Sequence, residues 1–192
     1  MQKEKGARLK IAEVDLVLKP PHDLIDRPKV TSSAFAADIL FDNWNLRKIG
    51  LQEQFKVMLL NRYSVVLGIS TISTGSISGT VSDPKLIFAA AIKSIAASII
   101  LARNHPSGNK KPNDADIRLT HKLYKAALLL DMRILDHIIL TPKKGWYYSF
   151  TDEGKLEAYG DVSINDLLSP YQAAASSEKP KPHNPDQLSI GF

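Results

Sequence analysis

The stretch SIILARNHPSGNKKPNDAD, Ser98 to Asp116, joins three kinds of sequence end to end. Ser98 to Ala102 is a short apolar run of the kind that forms a buried strand. A loop follows with Pro106, Gly108 and Pro112. Asn113 then stands as an N-cap candidate before a helical pattern, which puts Asp116 at the N3 position, where a carboxylate complements the helix dipole. A strand end passing through a loop into a helix start is where α/β folds collect their sites. His105 lies just past the strand and Asp116 lies in the first helical turn. The loop is able to return one to the other, and such a pair can share a divalent metal. Asp116 is equally accounted for as a helix-capping residue with no metal, and spacing alone leaves both readings open.

Working outward, SDPKLIFAAAIKSIAA predicts a well-buried helix from Pro84 to Ala97, capped by Asp83 with Pro84 in its first turn. The second helix runs from Asn113 to Leu130, with Ile117, Leu123, Ala127 and Leu130 as its apolar stripe. Upstream, TSSAFAADILFDNW opens on N-cap candidates and carries Phe35, Ile39 and Leu40 at helical spacing. FKVMLLN and SVVLGIS read as two strands about a turn at Asn61–Tyr63, and RILDHIILT and WYYSF as two more joined by a tight PKKG connection. ISTGSISGTVSDP is rich in Ser, Thr and Gly but has no GK[ST], so it is an exposed strand or loop and not a phosphate-binding loop. Val14, Leu16 and Leu18 mark an N-terminal strand ended by two prolines. The organisation expected is a strand and connector over residues 1–29, a domain over 30–158, and a polar, Pro-rich disordered tail over 159–192. Helices between strands with hairpins at the ends predict an α/β layer structure with a partly antiparallel sheet.

Composition narrows the chemistry. The 192 residues include no cysteine, so disulfides and thiolate metal sites are excluded and any metal must use His, Asp, Glu or water. No apolar run reaches eighteen residues, and the basic start MQKEKGARLK leads into no signal-peptide pattern; the expectation is a cytoplasmic protein without a membrane partner. The formal net charge of +5 is concentrated. Arg103 to Lys144 holds nine Lys or Arg against four Asp or Glu, and the rest of the chain balances at sixteen each. Lys110, Lys111, Arg118, Lys122 and Lys125 are therefore candidate phosphate contacts for DNA or for a DNA-bound protein; a merely solvated helix and turn is the alternative. No arginine–aromatic platform for single strands is evident there in the sequence.

ILARNHPSGNKKPNDADIRLT, followed by LDMRILDHIIL and YYSF, resembles the RadC-like branch of the JAB/MPN metalloprotease-like domains. The resemblance covers roughly Val30 to Leu156 and extends to FKVMLLNR and to the segment from Gly79 to Ala102. It implies a cytidine-deaminase-like α/β fold, a mixed sheet flanked by helices. It also implies a zinc centre: an upstream glutamate as general base, His-x-His-Pro, six residues, then Ser-x-x-Asp. The two histidines and the aspartate bind the metal, and the serine supports the oxyanion. On this chain the second histidine is His105, the aspartate is Asp116, and the glutamate falls on Glu53. The first histidine position is Arg103 and the serine position is Asn113.

Asn113 keeps an amide donor that can serve an oxyanion, and it is also a good helix cap. Arg103 is the severe departure. A guanidinium has no lone pair to offer, stays charged, and repels a cation. A catalytic zinc takes three protein ligands, and two remain. His121 is five residues past Asp116, about 140° round the helix and badly placed to replace the third. His137 reads as a hydrogen-bonded strand histidine, and His22 and His183 lie in a connector and the tail. Two expectations for Arg103 follow: it takes the metal position and pairs with Asp116, Glu53 or both, or it turns outward and joins the basic surface. Three functions remain in view. One is a zinc-dependent hydrolase of amide or isopeptide bonds. Another is a metal-poor, catalytically impaired module that binds DNA or a DNA-bound protein. The third is a scaffold that recruits partners through the tail.

Overall fold

Alternating burial along the central strands decides how the layers assemble. Strand β1 (Gln54–Leu60) turns Phe55, Val57 and Leu59 to one face and Met58 and Leu60 to the other. Strand β3 (Ser98–Asn104) divides in the same way, Ile99 and Leu101 against Ile100 and Ala102. A strand buried on both faces needs cover on both, which is why Val57–Leu60 and Ile99–Ala102 are continuous apolar runs. The computed structural model describes residues 27–75 and 82–159 of the chain.

Five strands form one mixed sheet in the order β2-β1-β3-β4-β5, with β2 at Val66–Thr74, β4 at Arg133–Leu140 and β5 at Tyr147–Ser149. β1 pairs antiparallel with β2 and with β3, and β4 pairs antiparallel with β5. β3 and β4 are parallel. The parallel pair needs a crossover, and helix α3 (Asp114–Leu129) supplies it. Helix α1 (Ser33–Asp42) covers one face, where Leu40, Phe41, Trp44 and Ile49 pack on Met58, Ile100, Ala102 and Ile138. Helix α2 (Pro84–Lys93) and α3 cover the other, with Ile87, Phe88, Leu123 and Ala127 on Val57, Leu101 and Ile139. This is the α/β mixed sheet flanked by helices that the sequence predicts.

Two helices differ from their sequence reading. α2 ends at Lys93, capped by Ser94, and does not continue to Ala97. Ile95 takes φ 54° and the Ala96 N–H bonds back to the Ala91 carbonyl, a Schellman stop with isoleucine at the position that usually holds glycine. α2 is also less buried than its composition suggests: Leu86 and Ile92 are exposed, and Ile87, Phe88 and Ala91 are its buried residues, with Ala90 packed beside them. On α3, Asn113 and Leu130 are the caps, and the inward residues are Asp116, Thr120, Leu123 and Ala127. Ile117 and Leu130 are exposed. The expected strand at Val14–Leu18, the Pro-rich tail, His22, His183 and residues 76–81 lie outside the described residues.

Candidate functional site: an arginine between two carboxylates

The site is built where β3 ends. Arg103 shares the parity of Ile99 and Leu101, so its side chain leaves the sheet toward α3, and it is buried with its backbone paired to Phe55 and Ile139. Asn104 has the opposite parity. Its amide donates to the Ile49 and Gln52 carbonyls at 2.6 and 2.9 Å and its oxygen accepts from the Gln54 N–H at 2.7 Å. That clamp fixes the chain at the entry to β1 and with it Glu53, whose carbonyl accepts from Gly75. Asn104 is the residue that sequence reasoning missed. Its signal is a polar amide at the end of a strand whose middle, Ile99–Ala102, is apolar.

Asp116 is held by the opposite element. The Asn113 side chain accepts from the Asp116 N–H at 2.9 Å, and Asp116 Oδ2 accepts from the Asn113 N–H at 2.8 Å, a complete capping box. That orientation leaves Asp116 Oδ1 facing β3. Arg103 Nη1 donates to it, and Arg103 Nη2 donates to Glu53 Oε2 at 2.8 Å. One guanidinium therefore bridges the two carboxylates, with the Asp116 side chain fully buried and that of Glu53 partly exposed. The Asp116 carboxyl sits at about 2. Burial pushes it up, and the neighbouring His105 ring, the Asn113 N–H and the Arg103 charge together outweigh that push.

His105 is drawn to the same place. Its backbone N–H bonds to the Leu140 carbonyl, and its Nδ1 donates to the Asn109 carbonyl at 2.7 Å. Nε2 then faces Asp116 Oδ2 at 3.5 Å, and no hydrogen-bond partner reaches it. Behind Asp116, Thr120 donates its hydroxyl to the Asp116 carbonyl at 2.6 Å and lies 2.6 Å from His137 Nδ1. Because the hydroxyl proton is committed, His137 Nδ1 carries the hydrogen and donates to Thr120. Burial between Phe55 and Phe150 drives the His137 ring down to about 3, so it is neutral. His121 stacks instead on Tyr159, 4.8 Å away.

These residues do not fit zinc. His105 Nε2 and Asp116 Oδ2 are two convergent donors, and the third position of a catalytic site is filled by a guanidinium. Among the described residues no three His, Asp or Glu come together in a way that holds a metal ion. Glu53 faces Asp116 across Arg103, bound to its cation. Asn113 spends its side-chain oxygen on the cap.

Of the basic candidates, Lys111, Arg118 and Lys122 are exposed, and Lys110 and Lys125 are half-buried. Arg118, Lys122 and Lys125 fall at i, i+4 and i+7 and share one stripe of α3.

Residues 30–155 match the family model of the RadC-like JAB domain. The chain belongs to that family. The RadC-like JAB domain found here is 44% identical over 105 residues to a UPF0758 protein of Porphyromonas gingivalis, covering 55% of this chain and 46% of that one. It is 40% identical over 134 residues to a UPF0758 protein of Flavobacterium johnsoniae, covering 69% and 56%. The chain thus spans about half the length of these curated relatives. JAB domains are generally zinc-associated, which sets the Arg103 centre apart from the pattern that its own family implies. No helix among the described residues is long and apolar enough to cross a membrane.

Proposed function

We propose that this RadC-like JAB domain has exchanged its zinc centre for a fixed organic cation and acts by binding rather than by hydrolysis. One observation carries the reading: Arg103 lies between Asp116 and Glu53 and donates to both. The aspartate that would hold the metal and the glutamate that would take a proton from water are both committed to the guanidinium. A general base must be within reach of the proton it removes and have a lone pair to receive it, and Glu53 here serves as a counter-ion. The partner class that the charge distribution favours is DNA or a DNA-bound protein, through the excess of positive charge between Arg103 and Lys144.

A second reading has one observation in its favour. His105 Nε2 is buried, faces Asp116 and has no hydrogen-bond partner, as the ligand of an intact zinc-dependent amide or isopeptide hydrolase would. Elemental analysis decides between the two. Protein grown with zinc available should carry well under one equivalent, whereas Arg103→His should raise the content toward one, because it adds a nitrogen ligand and removes the opposing charge. Asp116→Asn in the Arg103→His background should lower it again. Equimolar, tightly held zinc in the unaltered chain, lost on His105→Ala, would return the hydrolase to first place.

A further inference from the structure

The fold makes a cluster that the sequence does not reveal. Trp146, in the connection between β4 and β5, is 49% exposed, whereas the other tryptophan, Trp44, is 4% exposed. Lys110 Nζ, from the loop that follows His105, lies 4.6 Å from the Trp146 ring centroid, and Lys143 Nζ lies 5.6 Å from it. The indole is held on a braced turn. Thr141 Oγ1 donates to the Trp146 carbonyl at 2.7 Å, the Trp146 N–H bonds to the Lys143 carbonyl, and Gly145 takes the left-handed φ of 77° that the turn requires.

We propose that Trp146, with Lys110 and Lys143, is a binding platform for single-stranded nucleic acid beside the Arg103 centre. The proposal rests on the reading of this domain as a nucleic-acid binding module and names where and what it binds. Three observations support it. First, half of a large aromatic surface is left in water on a turn rigid enough to keep its shape, and every unpaired base offers a π-face to such a ring. Second, among the described residues no carboxylate neutralises the flanking charge; the Lys110 and Lys143 ammonium groups lie over the Trp146 ring and engage it alone. Lys144 is paired with Asp42, but Lys110, Lys111 and Lys143 make no ion pair among the described residues. Ammonium groups resting over an aromatic ring on flexible stems suit a ligand that alternates bases with phosphates, the phosphates drawing the lysines off the ring as a base takes their place. Third, the loop bearing Lys110 is tied to the end of β4 by the His105 N–H on the Leu140 carbonyl, so the platform and Arg103 share one end of the sheet. An acidic peptide would satisfy the lysines but leave the indole face unused. A duplex would offer them its backbone while keeping its bases stacked on one another.

The two tryptophans make the test specific, because a solution ligand reaches Trp146 and not Trp44. The full chain is titrated at low salt with oligo(dT), with a duplex of equal length and with poly-glutamate, following tryptophan emission. Emission should be quenched by oligo(dT), with weaker binding of the duplex and none of poly-glutamate. Trp146→Leu lacks the reporting indole and is therefore followed, beside the unaltered chain, by the anisotropy of fluorescein-labelled oligo(dT) and labelled duplex. It should bind oligo(dT) about tenfold less tightly, the loss expected for one base–aromatic stack. Lys110→Glu with Lys143→Glu should flatten the dependence of affinity on salt. Duplex and single strand bound alike, with no effect of Trp146→Leu, would overturn the platform and leave binding through α3 standing. Quenching by poly-glutamate equal to that by oligo(dT) would assign the surface to an acidic protein. No binding of either nucleic acid would overturn the platform together with the nucleic-acid reading, whatever the zinc content proves to be.

Discussion

Arg103 holds two carboxylates with one planar fork, and its geometry explains why lysine would not serve. A guanidinium presents two N–H edges at once, whereas an ammonium is a single point of charge on a flexible stem. The sequence is enough to say that Arg103 cannot ligate zinc. It leaves open whether the side chain turns inward, and the answer comes from strand parity: Arg103 follows Ile99 and Leu101 toward α3, where Asp116 is already oriented by its cap. Removing the cation leaves a fully buried carboxylate without its partner. Arg103→Met should therefore cost about 3–5 kcal/mol of stability by urea unfolding. Arg103→Lys should cost less, because the charge stays and only the bridge is lost. Equal losses for the two would mean that the retained charge contributes nothing, and an Arg103→Lys variant as stable as the unaltered chain would mean that the second hydrogen bond to Glu53 contributes nothing.

At the scale of elements, β1, β3 and β4 are legible from their apolar runs, and β2 and β5 from the tight turns that precede them. The helices are less so, because composition does not show which face turns inward. The sequence pattern of α3 picks out Ile117, Leu123, Ala127 and Leu130, yet the site claims part of its inner stripe, and Asp116 and Thr120 sit there with Leu123 and Ala127. Polar residues that are buried because they bond to one another, here Asp116 to Arg103 and Thr120 to His137, look in a sequence like the solvent side of a helix. The apolar pattern runs past the end of α2 for a different reason. Ile95 continues the apolar pattern but takes φ 54° at the helix stop, where a β-branched residue is strained. It is 83% exposed, so little packing would be lost by removing it. Ile95→Gly should raise stability by about 1 kcal/mol, the relief of the left-handed strain less the added chain entropy. A thermal unfolding midpoint that falls instead would show that Ile95 makes a contact worth more than its strain.

Across the whole molecule, the buried centre makes stability depend on pH in one direction. His137 is neutral in the folded protein down to about 3, because burial opposes its charge. In the unfolded chain a histidine takes up a proton near pH 6.5. Below that pH the unfolded state binds one more proton than the folded state, so stability falls as pH drops from about 6.5 toward 3. Asp116 adds to this at the acid end. Its folded carboxyl, at about 2, stays ionised while the unfolded one protonates, so its contribution is present above about pH 4 and is lost between there and 2. Both groups are depressed, and both penalise acid. From pH 7 to pH 5 the loss assigned to His137 should be about 2 kcal/mol, one pH unit of full linkage being worth about 1.4 kcal/mol. Urea unfolding at the two pH values measures it, and the His137→Gln variant, which has no proton to gain there, should lose correspondingly less over the same interval. If that variant does not fold, the proton NMR titration of the His137 ring in the unaltered protein gives the same answer. A ring that protonates near pH 6 in the folded state would remove the linkage, and with it the inference that the Thr120–His137 pair is sealed from water behind the arginine centre.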